Sequence, residues 1–396
     1  MNTQAGNTDT FARALSDPYY FERDMRYKQE LGSGADGDVH AWQHKPTSLI
    51  VAIKTPRKGR PQAVINIRDE ARILTRLRWY GGHNNVSNML QYHEDFNEQL
   101  PGIISEFAHY GDVVDYRNAW VQQEISAGRA SGIREVSVWK LFRDMTLALD
   151  WLHNTCKLIH RDIKPDNILV ARPTGYTSEL IPTEPLFKLC DFSRSWDSML
   201  PSGADYRWQG TVAYRPPGHE RTAARPASDL WSLGATLQEF ALDVDPRPSR
   251  AALIAQLDLQ GLYHPAPWDD FAWDLPFWRW SIGAVYRPLN ESADTLLRQW
   301  DVGSGVSSSY RPFSDELNEW YSKLFCFDWE QRITARMLAK QLVPLIERRF
   351  LTPTNRVDSA MTPQGGATQA ATARRLIYDN DYPPLPGADQ RRRWDI

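Results

Sequence analysis

Ten consecutive residues, His160-Arg161-Asp162-Ile163-Lys164-Pro165-Asp166-Asn167-Ile168-Leu169, narrow what this chain can fold into more than any other stretch. A carboxylate, an ammonium and a carboxamide fall on one short loop, and the apolar run after them can anchor that loop as a strand. Asp162 can accept the proton of an attacking hydroxyl, Lys164 can offset charge on a moving phosphoryl group, and Asn167 can hold a magnesium ion through its amide oxygen. The other reading is a charged surface turn between a helix and a strand.

The chain has 396 residues, enough for one large bilobal domain or two ordinary ones. With 42% hydrophobic and 24% charged residues, most of it should fold as a globular protein. A formal net charge of -3 gives no reason to expect a nucleic-acid or membrane surface. Cys156, Cys190 and Cys326 are too scattered for a disulfide framework or a zinc site, which points to a reducing compartment. No apolar stretch has the length of a signal-peptide core or a membrane span, so an intracellular place, cytoplasm or nucleus, is expected.

Residues 1–18 are polar and read as a flexible arm. From 27 to 53 the pattern is strand, Gly-rich turn, strand, a loop around Pro46 and a third strand. Residues 62–77 set Val64, Ile67, Ala71, Ile73, Leu74 and Leu77 at helical spacing. Short strands are predicted at 89–92 and 103–107, and helices at 138–153, 229–242, 316–324 and 334–349. A strand-rich first part followed by a helical second part implies two lobes with a cleft between them. Polar or Pro-containing loops are predicted at 122–135 and 171–186, and an insertion rich in Trp, Pro and Ser at 261–312. The composition of 352–396 reads as a disordered tail.

The loop around Asp162 resembles the catalytic loop of a eukaryotic protein kinase, whose signature is H-R-D-L-x-x-x-N, and so long an ordered match argues against a plain surface turn. Other segments resemble the same family in order. Gly32-Ser33-Gly34-Ala35-Asp36-Gly37-Asp38-Val39 matches the Gly-rich loop, where the absence of Cβ atoms lets backbone N–H groups approach phosphate oxygens. Asp36 and Asp38 are unusual so close to a triphosphate and are expected to face solvent, with a weakened nucleotide affinity as the alternative. Val51-Ala52-Ile53-Lys54 follows on a strand, where a dinucleotide-binding fold would have a helix. The resemblance implies that Lys54 contacts the α/β-phosphates, positioned by Glu70. Asp69, one residue around the helix, is the other candidate. Cys190-Asp191-Phe192-Ser193 resembles the D-F-G magnesium site with Ser193 in place of Gly, and Asp191 and Asn167 would hold the metal. In Ile104-Ser105-Glu106-Phe107-Ala108, which resembles the hinge, the Glu106 C=O and the Ala108 backbone would bind adenine. Ser105 falls at the gatekeeper position, and Asp112 would sit near the ribose.

Gly210-Thr211-Val212-Ala213-Tyr214-Arg215-Pro216-Pro217 resembles the end of an activation segment, but Gly218 stands where a Glu is normal and Glu220 comes two residues later. Arg332 matches the arginine that would pair with that Glu, and Glu220 could reach it through a two-residue bulge. Asp229 resembles the buried Asp that hydrogen-bonds the catalytic-loop backbone. Arg161 resembles the arginine that often receives an activation-segment phosphate. Ser195, Ser198, Ser202 and Tyr206 are the candidate acceptors, and constitutive order of the segment is the alternative.

The resemblance spans 27–345 and implies a bilobal α+β protein-kinase fold. Its N-lobe, 27–107, would be a small antiparallel sheet with one helix, and its C-lobe, 108–345, mainly helical. Gly32, Ser33, Gly34, Gly37, Val39, Ala52 and Lys54 would then hold ATP with magnesium. Lys164 and Thr211, whose hydroxyl in the family bridges the catalytic Asp and Lys, imply transfer of the γ-phosphoryl group to a protein Ser or Thr. A catalytically weak or inactive scaffold is the alternative, although such proteins usually lose one of Lys54, Asp162 or Asp191. A small-molecule phosphotransferase would lack the 210–217 segment and the Asp229 helix. In the tail, Pro383-Pro384-Leu385-Pro386 could dock a WW-type partner.

Overall fold

The computed structural model describes residues 10–352, apart from 98–99, 199–206, 260, 262, 275–282, 301, 303–305 and 307–309. The first lobe is an antiparallel sheet of β1 (Met25–Ser33), β2 (Gly37–His44), β3 (Ile50–Pro56), β4 (Met89–Asn97) and β5 (Leu100–Glu106), in the spatial order β1-β2-β3-β5-β4. The period of two along a strand decides what reaches the cleft. In β3, Val51 and Ile53 are buried behind the sheet, while Ala52 and Lys54 line the cleft. In β5, Ile104 joins the rear core and Ile103 joins the core shared with the second lobe.

A helical segment at 10–16 and α1 (Pro18–Asp24) cover the rear of the sheet. This corrects the expectation of a flexible arm over 1–18. Phe11, Ala14 and Leu15 fall at i, i+3 and i+4 and are buried with Phe21, Met25, Val51, Ile53 and Ile104. Asp17 caps α1 by accepting the Tyr19 N–H at 2.9 Å. These three buried residues seat the segment on the sheet, and His93 Nε2 lies 2.6 Å from the Leu15 carbonyl oxygen. Residues 1–9 lie outside the described part.

The long first-lobe helix, α2 (Pro61–Trp79), buries Ile67, Glu70, Ala71, Leu74 and Leu77. The second lobe contains α3 (Val113–Ser126), α4 (Glu135–Asp150), which continues as a π turn to Cys156, and α5 (Pro226–Leu242). Beyond these come α6 (Arg250–Leu259), α7 (Asp270–Asp274), α8 (Ala293–Gln299), α9 (Asp315–Ser322) and α10 (Ala335–Arg349). Short strands β6 (Leu158–Ile159), β7 (Ile168–Ala171), β8 (Leu186–Leu189) and β9 (Trp196–Asp197) flank the catalytic loop and pair β6 with β9 and β7 with β8.

One loop expectation is revised, and the insertion has helices of its own. The segment 122–135 begins as the last turn of α3, because Glu124 is buried there and takes ion pairs from Arg129 and Arg134. The insertion 261–312 carries α7 and α8, and its Trp273, Leu289, Leu296 and Tyr310 are buried. Residues 353–396, with the Pro383-Pro384-Leu385-Pro386 motif, lie outside the described residues.

A single apolar core runs through both lobes, joining Leu74, Met89 and Ile103 to Leu152, Phe192 and Leu233. Carboxylates inside it need partners. Asp144, fully buried on α4, accepts from Lys140 Nζ at 2.5 Å, Arg143 Nη1 at 2.8 Å and the Phe187 N–H at 3.0 Å.

Candidate active site

The lobes enclose a cleft of about 860 Å³. Its roof is the β1–β2 turn with Gly32, Ser33, Gly34 and Gly37, followed by Val39 and Ala52. Gly37 is needed for packing, since a Cβ there would stand 2.4 Å from the Thr55 carbonyl oxygen. Lys54, Glu70 and Asp191 form the inner end, Glu106, Ala108 and Asp112 the connecting edge, and Asp162, Lys164 and Asn167 the floor. Leu31 and Leu169 also line the cleft. Sequence reading passed over both, and their apolar character just outside two polar motifs was the available signal.

Lys54 Nζ donates to Glu70 Oε2 at 2.7 Å and to Asp191 Oδ1 at 3.2 Å. Burial works against the ammonium, but the Asp191 and Glu70 carboxylates outweigh it and raise the lysine above its ordinary range. Burial likewise opposes charge on Asp191, yet the Lys54 ammonium holds that carboxyl below its usual range. Glu70 Oε1 also accepts the Phe192 N–H at 3.2 Å, so α2 is tied to the segment after Asp191. Asp69 instead pairs with Arg72. Asp191 itself has a positive φ of 58°, a left-handed conformation uncommon outside glycine.

At the connecting edge, Glu106 Oε1 accepts from Lys188 Nζ and from the Asn88 N–H, each at 2.8 Å. That bracing leaves Glu106, Phe107 and Ala108 along the cleft wall. Asp112 caps α3 by accepting the Asp115 N–H at 2.9 Å. Burial pushes its carboxyl up to about 6; the Asp115 N–H opposes this, while the Asp115 and Asp166 carboxylates add to it.

The catalytic loop hangs from α5. Asp229 Oδ2 accepts the His160 N–H and Oδ1 the Arg161 N–H, both at 2.8 Å, and His153 Nε2 lies 2.8 Å from Oδ2. Asp162 Oδ1 accepts the Thr211 N–H at 2.7 Å, so the Thr211 backbone makes this contact where a hydroxyl bridge was expected. Asn167 Nδ2 donates to the Asp162 carbonyl at 2.8 Å and to Asp162 Oδ2 at 3.0 Å, while Lys164 Nζ lies 3.9 Å from Oδ2. Gly210 permits this approach: a Cβ there would stand 2.1 Å from the Arg161 carbonyl and 2.9 Å from Asp162 Oδ1. Its role was not recognised from sequence.

Glu220 does reach Arg332. Arg332 Nη1 and Nη2 donate to Glu220 Oε2 and Oε1 at 2.9 and 2.6 Å, with both side chains fully buried. A short 3₁₀ turn at Gly218–Glu220 supplies the displacement. The expectation for Asp36 is overturned. Its side chain is 13% exposed and turns inward, accepting from Asn66 Nδ2 at 2.6 Å and Ser193 Oγ at 3.1 Å. A buried amide and a half-buried hydroxyl pull the carboxylate in, and neither was visible as its neighbour from sequence order. Asp38 accepts from Ser33 Oγ at 2.6 Å.

The residues present fit a magnesium-bound nucleotide. Asn167 spends its amide N–H groups on Asp162, which leaves its Oδ1 for a cation, and the Asp191 carboxylate is held ionised. A sheet lobe and a helical lobe closed on such a cleft define a bilobal α+β protein kinase domain. A family model described as the protein kinase domain matches residues 25–343, and the chain belongs to that family.

It is 33% identical over 223 residues to an Aurora kinase of Schizosaccharomyces pombe, covering 54% of each chain. Over 247 residues it is 30% identical to serine/threonine-protein kinase 36 of Pongo abelii, which covers 60% of this chain and 16% of that one. It is also 27% identical over 265 residues to dual specificity mitogen-activated protein kinase kinase 1 of Dictyostelium discoideum, 66% of this chain and 35% of the relative. The chain spans about half the length of the Aurora kinases it matches. Among the described residues, no helix is long and apolar enough to cross a membrane.

Proposed function

We propose that this cleft binds ATP with magnesium and transfers the γ-phosphoryl group to a Ser or Thr hydroxyl of a protein. The observation that carries the reading is the closed Lys54–Glu70–Asp191 cluster, set in the same cleft as Asp162, Lys164 and Thr211. A dead scaffold would have little reason to keep a buried ammonium between two carboxylates, since each charge costs solvation.

In this reading Glu106 and Ala108 meet the adenine, Asp112 the ribose, and the Gly32–Gly37 turn the phosphates. Asn167 and Asp191 hold magnesium, which when bound neutralises charge on the phosphates. Lys54 grips the α/β-phosphates. Asp162 orients the acceptor hydroxyl and takes its proton on a carboxylate oxygen, and Lys164 offsets charge on the transferring group. Catalysis is thus positioning and electrostatics on preset side chains.

The test is transfer of radiolabel from γ-labelled ATP to a generic protein substrate, against small alcohols and amines, followed by phosphoamino-acid analysis. Phosphoserine or phosphothreonine is the expected product. Label only on the small molecules would replace the reading with a small-molecule phosphotransferase. Nucleotide binding without transfer would replace it with a scaffold.

A further inference from the structure

We propose that Asp36, Asn66 and Ser193 form a latch that holds the Gly-rich turn down over the phosphate end of the cleft and sets it in order before nucleotide arrives. The nucleotide half of this proposal rests on the function proposed above; the latch itself does not.

Three separate segments meet here. Asp36 belongs to the β1–β2 turn, Asn66 to α2, and Ser193 follows the metal-site Asp191 by two residues. Gln62 Nε2 donates to Asn66 Oδ1 at 2.9 Å, which aims the Asn66 amide nitrogen at Asp36 Oδ1, 2.6 Å away. The Ser193 hydroxyl donates to Asp36 Oδ2 at 3.1 Å, a bond that a glycine at 193 could not make. Arg194 Nη2, at 3.8 Å from the same oxygen, faces the charge. Asn66 and Glu70 are one helical turn apart, so one face of α2 holds Lys54 and Phe192 with one side chain and the turn with the other.

Two effects compete. A carboxylate at the phosphate end repels a triphosphate, whereas a tethered turn loses less conformational freedom when the phosphates bind. The carboxylate is directed at Asn66, Ser193 and Arg194, so its charge is largely answered inside the protein. Ordering therefore dominates, and Asp36 is a positioning residue that strengthens nucleotide binding.

The test uses hydrogen–deuterium exchange of residues 32–38 in the nucleotide-free protein, and calorimetric titration with magnesium and ATP. The proteins compared are wild type, Asp36→Ala, Asn66→Ala and the reciprocal Asp36→Asn/Asn66→Asp, with melting temperature as the check on folding. Each single variant should exchange faster in the turn and bind about tenfold more weakly, the scale of one charge-assisted hydrogen bond. The reciprocal pair should recover both, because an amide at 36 can donate to a carboxylate at 66. Tighter binding by Asp36→Ala would mean that repulsion wins and would overturn the proposal. Unchanged exchange in the single variants would show that no latch exists. If wild type binds no nucleotide, the functional reading fails instead, and exchange alone judges the latch.

Discussion

Asp162 is engaged at both carboxylate oxygens before any acceptor arrives, by the Thr211 N–H and by Asn167 Nδ2, so its orientation is fixed by the fold. Asp162→Asn keeps the shape and loses the base, and turnover should fall by about 10²–10⁴-fold while nucleotide affinity changes little. Near-normal kcat would remove Asp162 from that role. Ser105 sits opposite Ala52 and Met89 on β5 and lines the cleft, so its small side chain leaves room beside the proposed adenine position. An adenine analogue with a bulky inward aromatic group should inhibit wild type, and Ser105→Phe should resist it by about 10–100-fold at matched ATP saturation. Equal sensitivity would displace Ser105 from the nucleotide wall. Asp112 supplies a pH test. With its carboxyl pushed up to about 6, it ionises across that pH, and in the proposed nucleotide pose the ionised form would accept ribose hydroxyl bonds more strongly than the neutral one. The KM for ATP should rise as pH falls through 6 in wild type and stay flatter in Asp112→Asn, as steady-state kinetics between pH 5 and 8 would show. Parallel profiles would assign the titration elsewhere.

The segment from Gly210 to Glu220 is held at each end by a different kind of contact. At one end Gly210 admits Thr211 to Asp162, and at the other Glu220 meets Arg332 in a fully buried bidentate pair that also borrows the carbonyls of Ala227 and Cys326. Removing one partner leaves a buried charge without its counter-ion, so Glu220→Ala or Arg332→Ala should cost about 3–5 kcal/mol in denaturant unfolding. A loss below about 1 kcal/mol would show that the pair opens to water. This element also marks how far sequence carries. Arg332 and Glu220 were legible because charge type and order along the chain survive a two-residue displacement. Long helices such as α4 and α5 were legible because a buried helix repeats its apolar residues over many turns. The packed segment at 10–16 buries only three apolar residues, too short a run for its period to stand out. Asp36 was misplaced for a different reason: its partners lie 30 and 157 residues away, and local polarity alone says solvent.

Across the whole molecule, the activation segment and α2 are joined by contacts that need no added phosphate. Arg161 Nε donates to the Arg194 carbonyl at 2.5 Å and Nη1 to the Arg207 carbonyl at 2.8 Å, with the guanidinium 5.5 Å from the Trp196 ring centre. The arginine that could receive a phosphate is thus 5% exposed and bound to backbone. Arg76 of α2 pairs with Asp197 and donates to the Cys156 carbonyl at 2.8 Å, which links the first lobe to β9 and to the end of the π turn. Leu158 and Ile159 pair with Asp197 and Trp196, and the Ser198 N–H and hydroxyl both donate to the Lys157 carbonyl. Of the four candidate acceptors, Ser195 and Ser198 lie in this described stretch, whereas Ser202 and Tyr206 fall outside the described residues. A phosphate would be drawn to a cation that already has partners, so its gain is small beside the usual ordering of a loose loop. Of the two alternatives open from sequence, these contacts favour constitutive order for the described parts of the segment, up to 198 and from 207. Phosphatase treatment, verified by mass spectrometry, should leave kcat/KM within about twofold, whereas Arg76→Ala should lower it by about tenfold or more by loosening α2 from the segment. A comparable loss on dephosphorylation of a site between 195 and 206, restored by rephosphorylation, would establish the phosphate as the missing tether.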